Sequence, residues 1–250
     1  MTCNRFSLLK DFQRLGISSG DLITVHSSFR KVGPVEGGPR TLLAALCDAV
    51  GEKGTILMPA FSFSLLQEKA PRWSYENTPS CVGILSEVFR KEFAQYRSIH
   101  LSHSYTALGP LGSVLTSGEL DSSPCGRKSA IWKFLQYPSK IIMIGTDLTT
   151  CTPIHALEEE MGVPYVHFTT IPDAVYERAG VIASLPSVVV KPFQYDFLRL
   201  VAPLQEAHAF RYGKVGAADT TILDGRILWE TGTHILAANK RFLEVSGPAV

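Results

Sequence analysis

His155 and Glu158 stand three residues apart in the stretch TPIHALEEE. On a helix that spacing sets two side chains on one face and in reach of each other. A histidine beside a carboxylate is the construction of a general base, because the acid favours the imidazolium formed when the ring takes a proton. Glu159, one residue further on, competes with Glu158 for the same place. The residues in front are those a helix start needs: Thr152 as N-cap and Pro153 as first helical residue. Upstream, Ile141 to Ile144 is an apolar run that reads as a buried strand ending at Gly145. A polar loop with Asp147, Thr149, Thr150 and Cys151 joins the two. A strand-to-helix junction of this kind lies at the carboxyl edge of a sheet, where ligands bind in α/β folds.

Other residues offer chemistry with a plainer use beside it. His26, Ser27 and Ser28 close a strand-like DLITVH run and could present donors to a ligand, or His26 is a satisfied core residue. The loop GPVEGGPRT, with Gly37 and Gly38, could turn backbone N–H groups toward a phosphate at the start of a helix. It matches neither the P-loop nor the dinucleotide pattern, and a plain turn is its other use. His100, His103 and His155 could be gathered into a zinc site, although H-x-x-H here is not the helical H-E-x-x-H spacing. Cys151 could act as a nucleophile toward an acyl group, or fill a buried gap. Glu158, Glu159 and Glu160 in a row make a solvated face, apart from the one that shares the His155 side.

The elements that must position these groups follow from periodicity and breakers. Helices are predicted over Ser7–Leu15, from Arg40 or Thr41 to Gly51, over Gly83–Phe93, around Trp132–Leu135 and over Thr231–Leu243. Strands are predicted at Asp21–His26, Gly54–Met58 and Ile141–Ile144, with a short one after the loop that begins at His100. Gln67–Ser80 reads as a long loop packed by its own aromatics. In the last third, Val181–Val190 and Val215–Leu228 are β-rich, and Asp224-Gly225 reads as a hairpin turn. The expectation is α/β: a single domain over residues 1–250, with a mixed central sheet flanked by helices and a hairpin-rich C-terminal part.

Bulk properties narrow the function. The net charge of +1 on 250 residues gives no electrostatic case for nucleic acid or an acidic membrane surface. No apolar run reaches the ~20 residues a bilayer span needs. Five scattered cysteines without a C-x-x-C pair fit a reducing compartment better than a disulfide framework. A cytoplasmic protein is expected, binding a small molecule, with a homodimer left open.

Several motifs together, in order, resemble the aminoglycoside 3-N-acetyltransferase family, which is unrelated to the GCN5-type acetyltransferases. VHSSFRKVGPVEGGPRTLLAALCDAVGEKGTILMPAFSF is similar to its opening, HLSHSYTALGP to its H-x-x-x-S-x-A-A-x-G-P segment, and SSPCGRKSAIWKF to its S-P-x-G region. MIGTDLTTCTPIHALEEE resembles its block ending in H-x-x-E, and GKVGAADTTILDGRILW its C-terminal hairpin. The resemblance implies an N-acyltransferase using acetyl-CoA or another acyl-CoA, with no metal. It puts His26, Ser27, Ser28, Phe29, Val35, Gly37 and Gly38 along the cofactor. It makes His155 the general base and Glu158 its partner, and it sets Ser104 and Thr152 near the reacting carbonyl. Asp147 and Glu159 would then meet a cationic acceptor. Where the family commonly follows H-x-x-E with an aromatic and an arginine, this chain has Glu159 and Glu160. That leaves the acceptor open between an aminoglycoside and another amino sugar or biosynthetic amine.

An amine largely protonated near neutral pH must lose a proton before it attacks a thioester, and His155 can take it. A donor must also hold the tetrahedral oxyanion. The competing readings are a zinc-dependent amidohydrolase on His100, His103 and His155, a covalent Cys151 thioester, and a non-catalytic amine- or nucleotide-binding protein.

Overall fold

Ile141 and Met143 pack on one side of a sheet and Ile142 and Ile144 on the other. This period of two, with both faces apolar, marks a strand buried between two helical layers. The computed structural model describes residues 2–118 and 122–245. In chain order its first half comprises α1 (Arg5–Arg14), β1 (Leu22–Ser27), α2 (Pro39–Val50), β2 (Thr55–Pro59), β3 (Arg72–Ser74), α3 (Ile84–Glu92), β4 (Tyr96–Arg97), β5 (Tyr105–Leu108) and α4 (Gly112–Thr116). Then follow α5 (Ala130–Leu135), β6 (Lys140–Ile144), α6 (Pro153–Met161), β7 (Phe168–Arg178), β8 (Val181–Val190), α7 (Val201–Glu206), β9 (Phe210–Val215), β10 (Ala218–Asp224) and α8 (Gly225–Ala238).

Seven strands form one mixed sheet in the order β4-β5-β2-β1-β6-β10-β9. Its centre is parallel, β1 pairing with β2 on one side and with β6 on the other, and the outer pairings are antiparallel. One face packs on α1, α2 and α3 through residues such as Leu8, Leu42 and Phe89; the other packs on α5, α6 and α8 through Ile131, Leu157 and Leu228. The α/β expectation with a mixed central sheet and late hairpins therefore holds.

From β1 the chain crosses by way of α2 to β2, and only later reaches β6 on the opposite side of β1. The strand order thus switches between β1 and β6, the place where open α/β sheets form a binding crevice. Register aligns His26 with Met143 and Ser27 with Ile144, so both strands end together. β5 runs antiparallel to β2 and begins at the same edge, with Tyr105 opposite Pro59. Gly145, at φ +64°, turns the chain off β6 where a Cβ would stand 2.9 Å from Lys31 Cβ and 3.3 Å from the Ser28 carbonyl oxygen. Only glycine lets these two strand exits lie so close.

Three local expectations are corrected. The stretch read as a loop contains β3, which pairs in parallel with β7, more than a hundred residues away, and buries Trp73 against Tyr176. β3, β7 and β8 form a second, three-stranded sheet. Asp224-Gly225 is not a hairpin turn: Asp224 accepts hydrogen bonds from the N–H groups of Arg226 and Ile227 and starts α8, six residues earlier than the periodicity suggested. The β9–β10 turn instead uses Gly216 and Ala217.

Candidate active site

α6 carries the imidazole to the sheet edge. Pro153 occupies its first turn, as the sequence suggests, but Thr152 has helical angles and makes no side-chain cap. Its side chain instead lines a cleft of about 610 Å3 at the carboxyl edge. His155 lines the same cleft, with Ser27, Ser28 and Arg30 from the β1 exit and Thr146 and Thr150 from the β6 exit. Pro59 at the end of β2, Phe61 and Phe63 beyond it, and Leu85 and Ser86 at the start of α3 also line it.

His155 Nδ1 lies 2.5 Å from Glu158 Oε2, and the Glu158 side chain is fully buried. The other carboxylate oxygen, Oε1, accepts a hydrogen bond from the Tyr165 hydroxyl at 2.9 Å. Burial, and then Glu158 itself, push the Tyr165 hydroxyl well above its ordinary range, so it stays protonated as a donor. The His155 ring is boxed by Phe193, Tyr195 and Phe197, with ring centroids 5.7, 4.9 and 4.9 Å away. One ring nitrogen is thereby fixed on a buried carboxylate while the ring borders the cleft. That is the arrangement of an oriented base.

The three glutamates do not form a solvated face. Glu159 accepts hydrogen bonds from the Ser123 hydroxyl and, at 2.8 Å, from the Cys125 N–H. Burial raises its carboxyl above the ordinary value against those bonds. Glu160 bonds Arg127 at 2.7 Å and the Trp132 indole at 2.9 Å. Each thus ties α6 to the segment from residue 123 to 132, and Glu158 alone serves His155.

Of the residues singled out in the sequence, His26, Ser27, Ser28, Phe29, His103, Thr149, Thr150, Thr152 and His155 share the cleft, with Glu158 directly behind. Burial holds the His26 imidazole neutral, its pKa lowered to about 4. Several others lie elsewhere. Ser104 is fully buried: its hydroxyl donates to the Ala60 carbonyl at 2.8 Å and accepts from Arg97 at 3.2 Å, so it is not free to meet an oxyanion. Val35, Gly37 and Gly38 do not line the cleft; that loop turns toward the N-terminal segment, where Cys3 brackets Val35 with two backbone bonds. Asp147 caps the turn at Leu148–Thr150 through the Thr149 N–H and borders a neighbouring depression with Lys31 and Asp219. Glu159 is spent on the 123–125 turn. Cys151 is fully buried and burial drives its thiol far up, which removes the thiolate that nucleophilic chemistry needs. His100 Nδ1 accepts the N–H groups of Ser102 and His103, and no group of three or more His, Cys, Asp or Glu among the described residues is arranged to hold a metal.

Sequence reasoning missed Tyr165 and the aromatic box. Phe193, Tyr195 and Phe197 alternate in KPFQYDF, a period-two signal that was present but had nothing local to point at. Arg30 was also passed over, although it borders the serines.

Fold and site together define an α/β enzyme whose cleft opens at the switch point of a mixed sheet, with a carboxylate-backed histidine in its wall. The family model described as aminoglycoside 3-N-acetyltransferase matches residues 24–237, and the chain belongs to that family. Aminoglycoside N(3)-acetyltransferase III of Acinetobacter baumannii is 29% identical over 195 residues, covering 72% of this chain and 68% of that protein. Aminoglycoside N(3)-acetyltransferase VII of Streptomyces paromomycinus is 26% identical over 257 residues, covering 91% and 89%. The solved structure of AAC-IIIb as a binary complex with CoASH superposes with a TM-score of 0.82 at 23% identity, covering 99% of this chain and all of that one. At that identity the likeness concerns the fold.

Proposed function

We propose that the chain moves an acetyl or related acyl group from acyl-CoA to an amine of an aminoglycoside or amino sugar, by direct attack, with His155 as general base. The observation that carries this reading is the His155–Glu158 contact at 2.5 Å in the wall of a cleft that also holds Ser27, Ser28 and Arg30. The pantetheine arm would lie along Ser27–Arg30. CoA supplies the activated acyl group; the protein supplies orientation, proton transfer and exclusion of water. The acceptor amine would enter beside Thr146, whose other side opens on a depression with Asp147, Lys31 and Asp219, the last paired with Lys214 at 2.6 Å. The names of the relatives and the CoA held by AAC-IIIb support the substrate classes. This is one acyl-transfer unit over residues 1–250, at work in the cytoplasm. The free cysteines fit that compartment, and no helix among the described residues is long and apolar enough to cross a membrane.

The test is thiol release from acetyl-CoA across a panel of aminoglycosides and nucleotide-linked amino sugars. Release should depend on an acceptor and fall by roughly 10²–10⁴ in His155→Ala. Wild-type turnover in that variant would remove His155 from the role, and CoA binding without transfer to any amine would favour a non-catalytic protein.

A further inference from the structure

A third histidine of the cleft, His103, borders both it and the small cavity behind it, in each case together with His155. The turn that presents it is locked to the segment that follows β2: the Ala60 N–H bonds the Ser104 carbonyl at 2.8 Å and the Ser62 N–H bonds the Ser102 carbonyl at 3.0 Å. Its ring sits against Phe61 and Phe63, centroids 4.9 and 5.1 Å away. Glu158 and Glu159 line the small cavity it borders, but among the described residues no carboxylate bonds its ring, and its Nδ1 lies 2.8 Å from the Ser102 hydroxyl.

That hydroxyl decides the tautomer. Ser102 is 1% exposed, and a buried O–H left without an acceptor is costly. Among the described residues its other neighbour is His100 Nδ1, at 3.5 Å, and that nitrogen already accepts the N–H groups of Ser102 and His103 at 3.1 and 2.9 Å. The Ser102 proton therefore goes to His103 Nδ1, and the ring proton of His103 stands on Nε2. Burial, reinforced by His100 and His155 nearby, holds the ring far below the ordinary histidine range, so it is neutral. Besides the neutral His26, the cleft thus contains two imidazoles with opposite surroundings, one backed by a carboxylate and suited to gaining a proton, one backed by a hydroxyl and suited to keeping its own.

We propose that His103 is a catalytic residue of the acyl transfer, its Nε2–H donating to the thioester carbonyl oxygen as negative charge develops there. The inference rests on the acyl-CoA reading above. The amine nitrogen attacks the thioester carbon, a C–N bond forms, and the carbonyl π pair moves onto oxygen, where His103 Nε2–H meets it. The amine proton passes to His155. Collapse restores the C=O bond and breaks C–S, and the departing sulfur takes the proton from His155, leaving amide and CoASH. His103 neither gains nor loses a proton in this sequence, which is what its neutral setting permits. It fills the role that Ser104, buried behind Arg97, does not.

The experiment joins spectroscopy to kinetics. Acetyl-CoA labelled with ¹³C at the carbonyl is bound without an acceptor, and its infrared carbonyl stretch is read in wild type, His103→Phe and His155→Ala. The band should move to lower frequency in wild type and in His155→Ala, and return toward its free position in His103→Phe, which keeps a ring between Phe61 and Phe63. With an acceptor from the screen, His103→Phe should lower kcat by roughly 10²–10³ with KM for acetyl-CoA nearly unchanged. His103→Gln, which restores an N–H donor, should recover part of the rate and of the shift, and His103→Leu, which has no donor, stands in if the phenylalanine variant does not fold. A band as shifted as wild type in His103→Phe or its leucine stand-in, or a kcat there within threefold of wild type, overturns the proposal while leaving His155 as base. Failure of wild type to bind acetyl-CoA would overturn both.

Discussion

The β6–α6 junction and the glycine-rich loop before α2 look equally functional as text, and the fold treats them differently. The junction puts Thr146, Thr150, Thr152 and His155 into the cleft wall, with Glu158 behind. The glycine loop turns away, its Val35 held by Cys3. The reason lies in what each motif needs. A side-chain pair three apart on a helix is joined by the helix alone, whatever surrounds it. A loop that binds through backbone N–H groups must also be aimed, and aim comes from distant contacts. The most sensitive way to break this contrast is at the junction. Glu158→Gln keeps the volume but replaces the buried acceptor of His155 with a neutral amide, so kcat should fall by roughly 10²–10⁴ with the fold intact. Steady-state thiol release against a circular-dichroism melt reads both; a loss below about tenfold would mean that Glu158 packs α6 rather than serving His155.

The buried imidazoles on the β1 and β5 side sharpen the contrast through pH. His26 and His100 have pKa values lowered to about 4 by burial, and His103 is lowered as well. The unfolded chain takes up protons near pH 6.5 that the folded chain refuses until about pH 4. Stability is therefore full above 6.5 and declines as pH falls through that window, by roughly 3 kcal/mol for His26 alone. Denaturant melts between pH 7 and 4 should show this fall, and His26→Gln should reduce it. A melt independent of pH across the window would mean these rings are accessible to protons in the folded state.

A smaller effect is expected at Tyr165, which supplies the other hydrogen bond to Glu158. Tyr165→Phe leaves a buried carboxylate oxygen without its donor, which costs about 1–3 kcal/mol. Because the carboxylate is then less firmly held behind His155, part of that cost should appear as a kcat lowered roughly tenfold. An unchanged kcat with a lowered melting temperature would assign Tyr165 to packing alone.

What was legible in the sequence follows the same division. The strands β1, β2 and β6, the helix start at Pro153 and the His155–Glu158 pair all rest on local rules, and all are present. The aromatic box was spelled out as Phe193, Tyr195 and Phe197, yet nothing local says that alternating rings forty residues downstream close on His155. β3 was hidden because its partner is β7, and no local pattern encodes a pairing across a hundred residues. Asp224-Gly225 supports a hairpin and a helix start equally well by composition; the antiparallel pairing of β10 with β6, which carries the chain to the far side of the sheet, decides for the helix. The run of glutamates misled for a related reason. Charge alone suggests solvent, but Ser123, Cys125, Arg127 and Trp132 come across from a separate segment to take two of the three.

The least effect on the chemical step should come from the loop that the fold turned away, and there the contrast is most exposed to failure. Gly38 has φ +65° and ψ −144°, a region almost closed to residues with a side chain, and a Cβ there would meet nothing within 4 Å. Gly38→Ala therefore isolates backbone strain from steric clash, at about 1–3 kcal/mol. If the loop only shapes the entry to α2, the variant should melt lower while kcat and KM for acetyl-CoA stay within about twofold. If the pyrophosphate leaves the cleft toward these glycines, strain that re-aims their N–H groups should raise KM for acetyl-CoA several-fold at unchanged kcat, and dephospho- and full-length CoA should be weakened alike. A fall in kcat itself would show that the loop reaches the reacting atoms and that the two regions are one site.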